Sequence, residues 1–229
     1  NECVIPIGHS FVIKRDFTLN DAMSKEIRDS LTKAGAKFLI GFFDNNIGAD
    51  LDFTKADMFN LISDIAKYVL INKEMALVLK TKKEPELKDI GDQEILEKLK
   101  SEGRLYILAK NILPHLVSKS VDITIGVGLS SAALEGNARG LRAVHYYPNC
   151  DENSFLYENF YNQILFDDFE KLIAAINEVY KSPSESMVGL AGDKVTIIDS
   201  YADSNSNERV NTIMNLALNH DLVNRENLY

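Results

Sequence analysis

Residues Asp122-Ile-Thr-Ile-Gly-Val-Gly-Leu-Ser-Ser-Ala-Ala-Leu-Glu-Gly-Asn-Ala-Arg-Gly-Leu-Arg-Ala-Val-His-Tyr-Tyr-Pro148 read as a buried strand, a Gly/Ser turn, a short helix and a second strand. That order brings backbone N–H groups and two hydroxyls to a helix N-terminus at the carboxyl edge of a parallel sheet. Orphan amides and the positive end of the helix dipole both favour an anion there. The stretch therefore points to a nucleotide or another phosphorylated ligand.

Working outward, the alternation of strand and helix continues in both directions. Leu19, Met23, Ile27, Leu31 and Ala34 stand at helical spacing over 19–34, with Gly35 as a stop. Lys37-Phe-Leu-Ile-Gly-Phe-Phe43 is a continuous apolar run that ends in the turn composition of residues 44–48. A helix is predicted over 55–72, a strand over 75–79 ending at Lys80, a short helix near 92–100 and a strand over 104–108. Pro114 suits a first helical turn. The strands flanking the Gly/Ser turn fall at 121–126 and 141–146. A sixth strand falls at 163–166, and Asp167 or Asp168 caps a helix running to Tyr180.

Apolar strands of this length separated by helices indicate an α/β fold. The expectation is a doubly wound, Rossmann-like parallel sheet of about six strands with helices on both faces. In such sheets ligands lie outside the carboxyl ends of the strands, which selects loops 44–50, 80–84, 109–115, 126–131 and 146–153. The expected organisation is an N-terminal helical segment or linker over 1–35, the sheet domain over 36–181, and an irregular crossing with a closing helix over 182–229. That last segment is rich in Ser, Asn, Gly and Asp, interrupted by the apolar Val195-Thr-Ile-Ile198. Val210, Ile213, Met214 and Ala217 then give helical periodicity.

Composition narrows the function. A chain of 229 residues with 45% hydrophobic content can bury a full core. The 34 acidic against 25 basic residues give a net charge of −9, which argues against non-specific binding to nucleic acid or an anionic membrane. Cys3 and Cys150 have no metal-ligand spacing and read as reduced thiols of a cytosolic protein rather than a disulfide. No apolar run has the length of a membrane span, and no hydrophobic signal region is present. The chain starts at Asn1 rather than Met, as a processed or truncated chain would.

Several residues carry candidate chemistry, each with a structural alternative. Gly126 and Gly128 allow close backbone approach, and Ser130 and Ser131 either donate to phosphate oxygens or cap the helix. The spacing is not that of a dinucleotide fingerprint. Glu135, one turn beyond Ser131, either accepts from a ligand hydroxyl or is solvated. Arg139 and Arg142 suit the negative end of that helix. Lys80, Lys82 and Lys83 cluster after a strand end. Lys80 is the candidate to neutralise a diphosphate, whereas Glu84 and Glu86 suggest a solvated loop for the others. Arg209 at the start of the closing helix opposes the helix dipole, so its guanidinium is expected to meet Glu208, Asp203 or a ligand phosphate. His9, His115, His145 and His220 lack metal spacing. His115 and His145 fall at the ligand edge and are the weak candidates for acid–base chemistry, the alternative being a structural role. Tyr146 and Tyr147 either stack on a base or pack in the interior.

In these residues the sequence resembles the C-terminal, donor-binding half of the GT-B glycosyltransferases. Within that group it is most similar to enzymes of surface and capsular polysaccharide synthesis and to the glycerophosphotransferases. The matching pieces are Leu77-Val-Leu-Lys80, Asp122-Ile-Thr-Ile-Gly126, Ser130-Ser-Ala-Ala-Leu-Glu135, Gly140-Leu-Arg-Ala-Val-His-Tyr-Tyr147 and Tyr201-Ala-Asp-Ser-Asn-Ser-Asn-Glu-Arg-Val210, together spanning about 36–219. The resemblance implies that 36–181 is a nucleotide-sugar-binding domain. It implies phosphate contacts from Lys80, Ser130 and Ser131, with Gly128, Glu135 and Arg209 as further binding candidates.

No cofactor is implied beyond a UDP-, CDP- or GDP-linked sugar as substrate, and no metal, because no Asp-x-Asp motif sits at a strand end. The implied partners are a saccharide or lipid-linked acceptor and an N-terminal acceptor domain that residues 1–35 are too few to supply. The implied location is cytoplasmic, free or peripheral at the inner face of the membrane. The lysine motif departs from the family by continuing as Lys80-Thr-Lys-Lys-Glu-Pro85 rather than towards histidine and proline. A sugar-nucleotide epimerase of the same architecture, which needs carboxylates for proton abstraction, and a non-catalytic binding or assembly domain are the alternatives.

Overall fold

Two buried layers of side chains, one on each face of a single parallel sheet, account for the continuous apolar strands. The computed structural model describes residues 18–44, 53–81, 92–108, 112–201, 203 and 205–218. Its strands are β1 (Phe38–Phe43), β2 (Met75–Lys80), β3 (Leu105–Leu108), β4 (Ile123–Val127), β5 (Ala143–Tyr146) and β6 (Leu165–Phe166). They form one sheet in the order β3-β2-β1-β4-β5-β6, with every neighbouring pair parallel. This is the doubly wound order of a Rossmann-like fold, and the chain reverses direction across the sheet between β1 and β4.

Alternate residues of each strand serve opposite faces. Phe38, Ile40 and Phe42 of β1, Met75, Leu77 and Leu79 of β2, and Ile123, Ile125 and Val127 of β4 meet helices α2 (Lys55–Ile71), α3 (Gln93–Ser101) and α7 (Phe169–Lys181). The intervening Leu39 and Phe43, with Ala76 and Val78, meet α1 (Thr18–Lys33), α4 (Pro114–Ser120) and α5 (Ser131–Ala138). Helix starts follow their caps. Thr54 and Asp57 form a reciprocal capping box on α2, and Asp168 rather than Asp167 caps α7 by accepting from the Lys171 amide.

Arg104, 3% exposed, locks the α2–β2 turn. Its guanidinium donates to the carbonyls of Val69, Leu70, Asn72 and Met75 and pairs with Glu102. A helix absent from the sequence reading, α6 (Phe155–Phe160), is only six residues long and is capped by the Ser154 hydroxyl, which accepts from the Tyr157 amide.

The described residues divide into two compact units, one running to Ala191 and holding the sheet, the other starting at Gly192. The second contains a 3₁₀ turn at Gly192–Lys194, α8 (Val195–Ile198), which is the apolar interruption seen in the sequence, and α9 (Ser206–Leu218). Among the described residues no helix is long and apolar enough to cross a membrane.

Candidate functional site at the carboxyl edge of the sheet

Strand register sets the predicted residues in one row. Leu108, Lys80, Phe43, Gly126 and His145 are successive Cα partners across β3, β2, β1, β4 and β5. By the period of two, Lys80, Gly126 and His145 all face the side covered by α1, α4 and α5. The turn Gly128–Ser130 leaves β4 directly beside the β1/β4 reversal, where α5 begins.

The tight turn has two steric causes. A Cβ on Gly126 would lie 2.6 Å from the Ser130 Cβ and 2.9 Å from the Ala133 Cβ, so α5 can seat its first turn on β4 only over a glycine. Gly128 adopts φ +57°, the left-handed region that favours glycine, and its amide donates to the Tyr146 carbonyl at 2.9 Å.

Ser130 is the N-cap of α5, yet its hydroxyl makes no capping bond to the first-turn amides. Ser130 is buried, and Ser131, at the first helical position, is exposed. The first turn of α5 therefore presents amides that no serine side chain has taken.

His145 is fully buried. Its Nδ1 lies 2.9 Å from the Gly128 carbonyl and its Nε2 lies 3.4 Å from Asn137 Oδ1. Both facing oxygens only accept, and the single proton of the neutral ring goes to the closer, so Nδ1 donates to Gly128. Burial pushes the His145 pKa down to about 4, the Gly128 bond opposing, which keeps the ring neutral. Enclosed in this way, the side chain holds the turn. Asn137, a residue the sequence reading passed over, completes the brace by donating to the carbonyls of Ala143 and Gly189 at 2.8 and 2.9 Å.

Glu135 departs from the solvated alternative. It is 7% exposed, and its Oε1 accepts from Arg139 Nη2 at 2.9 Å and Nε at 3.1 Å. His115, buried near the start of α4, brings Nδ1 to 3.9 Å from the same oxygen. The helical spacing of 135 and 139 pairs these two side chains, so Arg139 answers a carboxylate as well as the helix end. Arg142 instead donates to the carbonyls of Val188, Pro183 and Ser186.

Lys80 is buried at the end of β2 and donates to the Thr81 carbonyl at 2.9 Å. Burial lowers its pKa, while the nearby Asp44 carboxylate, at the end of β1, opposes the shift. Tyr146 and Tyr147 are half-buried. Tyr146 faces the other side of the sheet from His145, against Phe53.

In the C-terminal unit, Arg209 pairs with Asp203, the contact at Nη1 being 3.1 Å, and its guanidinium lies 3.6 Å from the Tyr201 ring centroid. Asp203 is one of the three partners expected for it. Cys3, His9, His220, residues 45–50, 109–111, Lys82, Lys83, Glu84 and Glu86 lie outside the described residues.

A family model described as "Polysaccharide biosynthesis PFTS motif protein" matches residues 34–172, more than half of the 229. The chain belongs to the polysaccharide biosynthesis PFTS motif family. The matched span contains all six strands and the Gly128–Ser131 turn.

Among solved structures the chain is similar to the catalytic domain of starch synthase IV from Arabidopsis thaliana bound to ADP and acarbose. That likeness has 13% identity and a TM-score of 0.46, over 84% of this chain and 41% of that one. No curated protein matches the sequence.

Proposed function

We propose that the chain binds the diphosphate of a nucleotide-sugar at the first turn of α5 and serves as the donor-binding part of a glycosyltransferase in polysaccharide synthesis. One observation carries the reading. The uncapped first turn of α5, with Ser130 and Ser131, follows β4 at the β1/β4 reversal, and Lys80 lies on the same face, in the strand row of Gly126. Membership of a polysaccharide biosynthesis family supports the choice of an activated sugar over other phosphorylated ligands.

The chemistry follows from charge. Glycosyl transfer builds negative charge on the departing diphosphate, and preorganised amides, hydroxyls and a lysine stabilise it without a metal. Lys80 sits desolvated against the Thr81 carbonyl with the Asp44 carboxylate nearby, and an arriving phosphate would add further negative charge beside its ammonium. The acceptor is a saccharide or a lipid-linked saccharide, held by a further domain.

Calorimetric titration with UDP, CDP, GDP and CMP tests the reading. One nucleotide should saturate, and Ser131→Ala and Lys80→Ala should each weaken it about tenfold, as expected for loss of one charge-assisted hydrogen bond. Absence of binding by all four, with circular dichroism showing folded protein, refutes it in favour of a non-catalytic assembly domain.

A further inference from the structure

The face of the sheet opposite α5 carries a second concavity that the diphosphate reading does not use. The first turns of α2, the end of β5 and the start of α7 enclose a cleft of about 380 Å³. That size is within the roughly 300–1,000 Å³ of small-molecule sites. Its wall is aromatic: Phe53, Tyr146 and Phe169, with Phe53 and Tyr146 packed edge to face at 6.2 Å between centroids. Its polar groups include Asn149 and, at helical spacing on α2, Asp57, Asn60 and Asp64.

The charge of this cleft is opposite to that of the α5 turn. Asp57 is held well ionised by hydrogen bonds from the Thr54 hydroxyl and amide, both to Oδ2. Asp64 uses Oδ1 for Lys67 at 3.2 Å. The Tyr146 hydroxyl is pushed above its ordinary pKa, first by burial and then by the carboxylates of Asp168, Asp167, Asp64 and Asp57. Among the described residues, Lys67 pairs with Asp64 and Lys171 with Asp167. A phosphate or a uronate entering here would meet net negative charge, with no cation among the described residues that line it.

We propose that this cleft binds an uncharged hexopyranose, its C–H groups against the aromatic wall and its hydroxyls donating to Asp57 and Asp64. The aromatic surface takes the apolar edge of a sugar ring, and carboxylates that are already ionised accept from sugar hydroxyls strongly. The choice of a saccharide rests on the proposed role in glycosyl transfer. The cleft itself lies on the other face of the sheet and can be tested apart from nucleotide binding.

The experiment is saturation-transfer NMR on the full chain with methyl glucoside, methyl galactoside, methyl mannoside and glucuronate. Nucleotide titration is run beside it, and both are repeated with Asn60→Trp, a bulky side chain at an exposed helix position lining the cleft. At least one methyl hexoside should give a signal, with glucuronate at least tenfold weaker. Asn60→Trp should abolish the hexoside signal and leave nucleotide affinity unchanged. Equal binding of glucuronate, a hexoside signal that survives Asn60→Trp, or no signal from any hexoside overturns the proposal. Hexoside binding without nucleotide binding supports the cleft and refutes the diphosphate reading, and the reverse overturns the cleft alone.

Discussion

Gly126→Ala isolates the contact that connects the sheet to the site. The added methyl would lie 2.6 Å from the Ser130 Cβ, about 1 Å short of the ~3.5–4.0 Å optimum between carbon atoms. The second contact, 2.9 Å to the Ala133 Cβ, blocks the escape route towards the helix interior. Both neighbours are stiff atoms of one helical turn, so α5 itself has to move. Overpacking of this kind costs about 1–3 kcal/mol.

The same displacement, about 1 Å, takes a 2.9 Å hydrogen bond beyond bonding range. Nucleotide affinity should therefore fall about tenfold or more if the α5 amides hold the diphosphate. Urea denaturation followed by circular dichroism reads the first effect, and calorimetric titration the second. Ser130→Gly removes the closer clash, so the Gly126→Ala/Ser130→Gly double variant should regain stability beyond the additive expectation. An unchanged unfolding midpoint in Gly126→Ala refutes the packing argument. A lowered midpoint with unchanged nucleotide affinity refutes the placement of the diphosphate.

Other consequences are equally direct. His145 has its folded-state pKa depressed to about 4 from an ordinary 6.5, so between those values the unfolded chain binds the extra proton. Its contribution is intact above about pH 6.5 and is lost as pH falls towards 4, at up to about 1.4 kcal/mol per pH unit. Urea midpoints at pH 7 and pH 5 should therefore converge in His145→Gln relative to the parent. Arg104→Ala leaves the carbonyls of Val69, Leu70, Asn72 and Met75 without their guanidinium donor, while Glu102 keeps Lys73, and should cost about 1–3 kcal/mol in chemical denaturation. Arg104→Lys should recover little of that, because an ammonium lacks the guanidinium fork. Glu135→Ala and Arg139→Ala should each destabilise by about 3 kcal/mol, with the double variant costing at least about 1 kcal/mol less than their sum.

What the sequence shows and hides follows the physics of each residue. The sheet was legible because strands covered on both faces need apolar residues at every position, so β1 and β2 appear as unbroken runs. The helix α6 was not, since six residues give too few turns for periodicity to register. The Gly/Ser turn was legible as a tight entry into the start of a helix, whereas the depth of His145 was not. A polar residue at a strand end looks available until the neighbouring strands and the α5 layer enclose it. The Glu135–Arg139 pair was visible in its spacing of four, but the helix dipole offered the arginine a competing explanation.

Strand alternation then links the two proposed sites. His145 and Tyr146 are adjacent in β5, so their side chains must leave the sheet on opposite faces. The imidazole braces the Gly128 turn on the α5 side, where the phosphate is proposed. The phenol walls the acidic cleft on the α2 side, where the hexose is proposed. A slip of β5 by one residue would put the phenol under the turn and the imidazole among Asp57, Asp64, Asp167 and Asp168. The register of this four-residue strand, held by Gly126↔His145 and Val127↔Tyr146, therefore keeps the proposed anion-binding and anion-excluding surfaces apart.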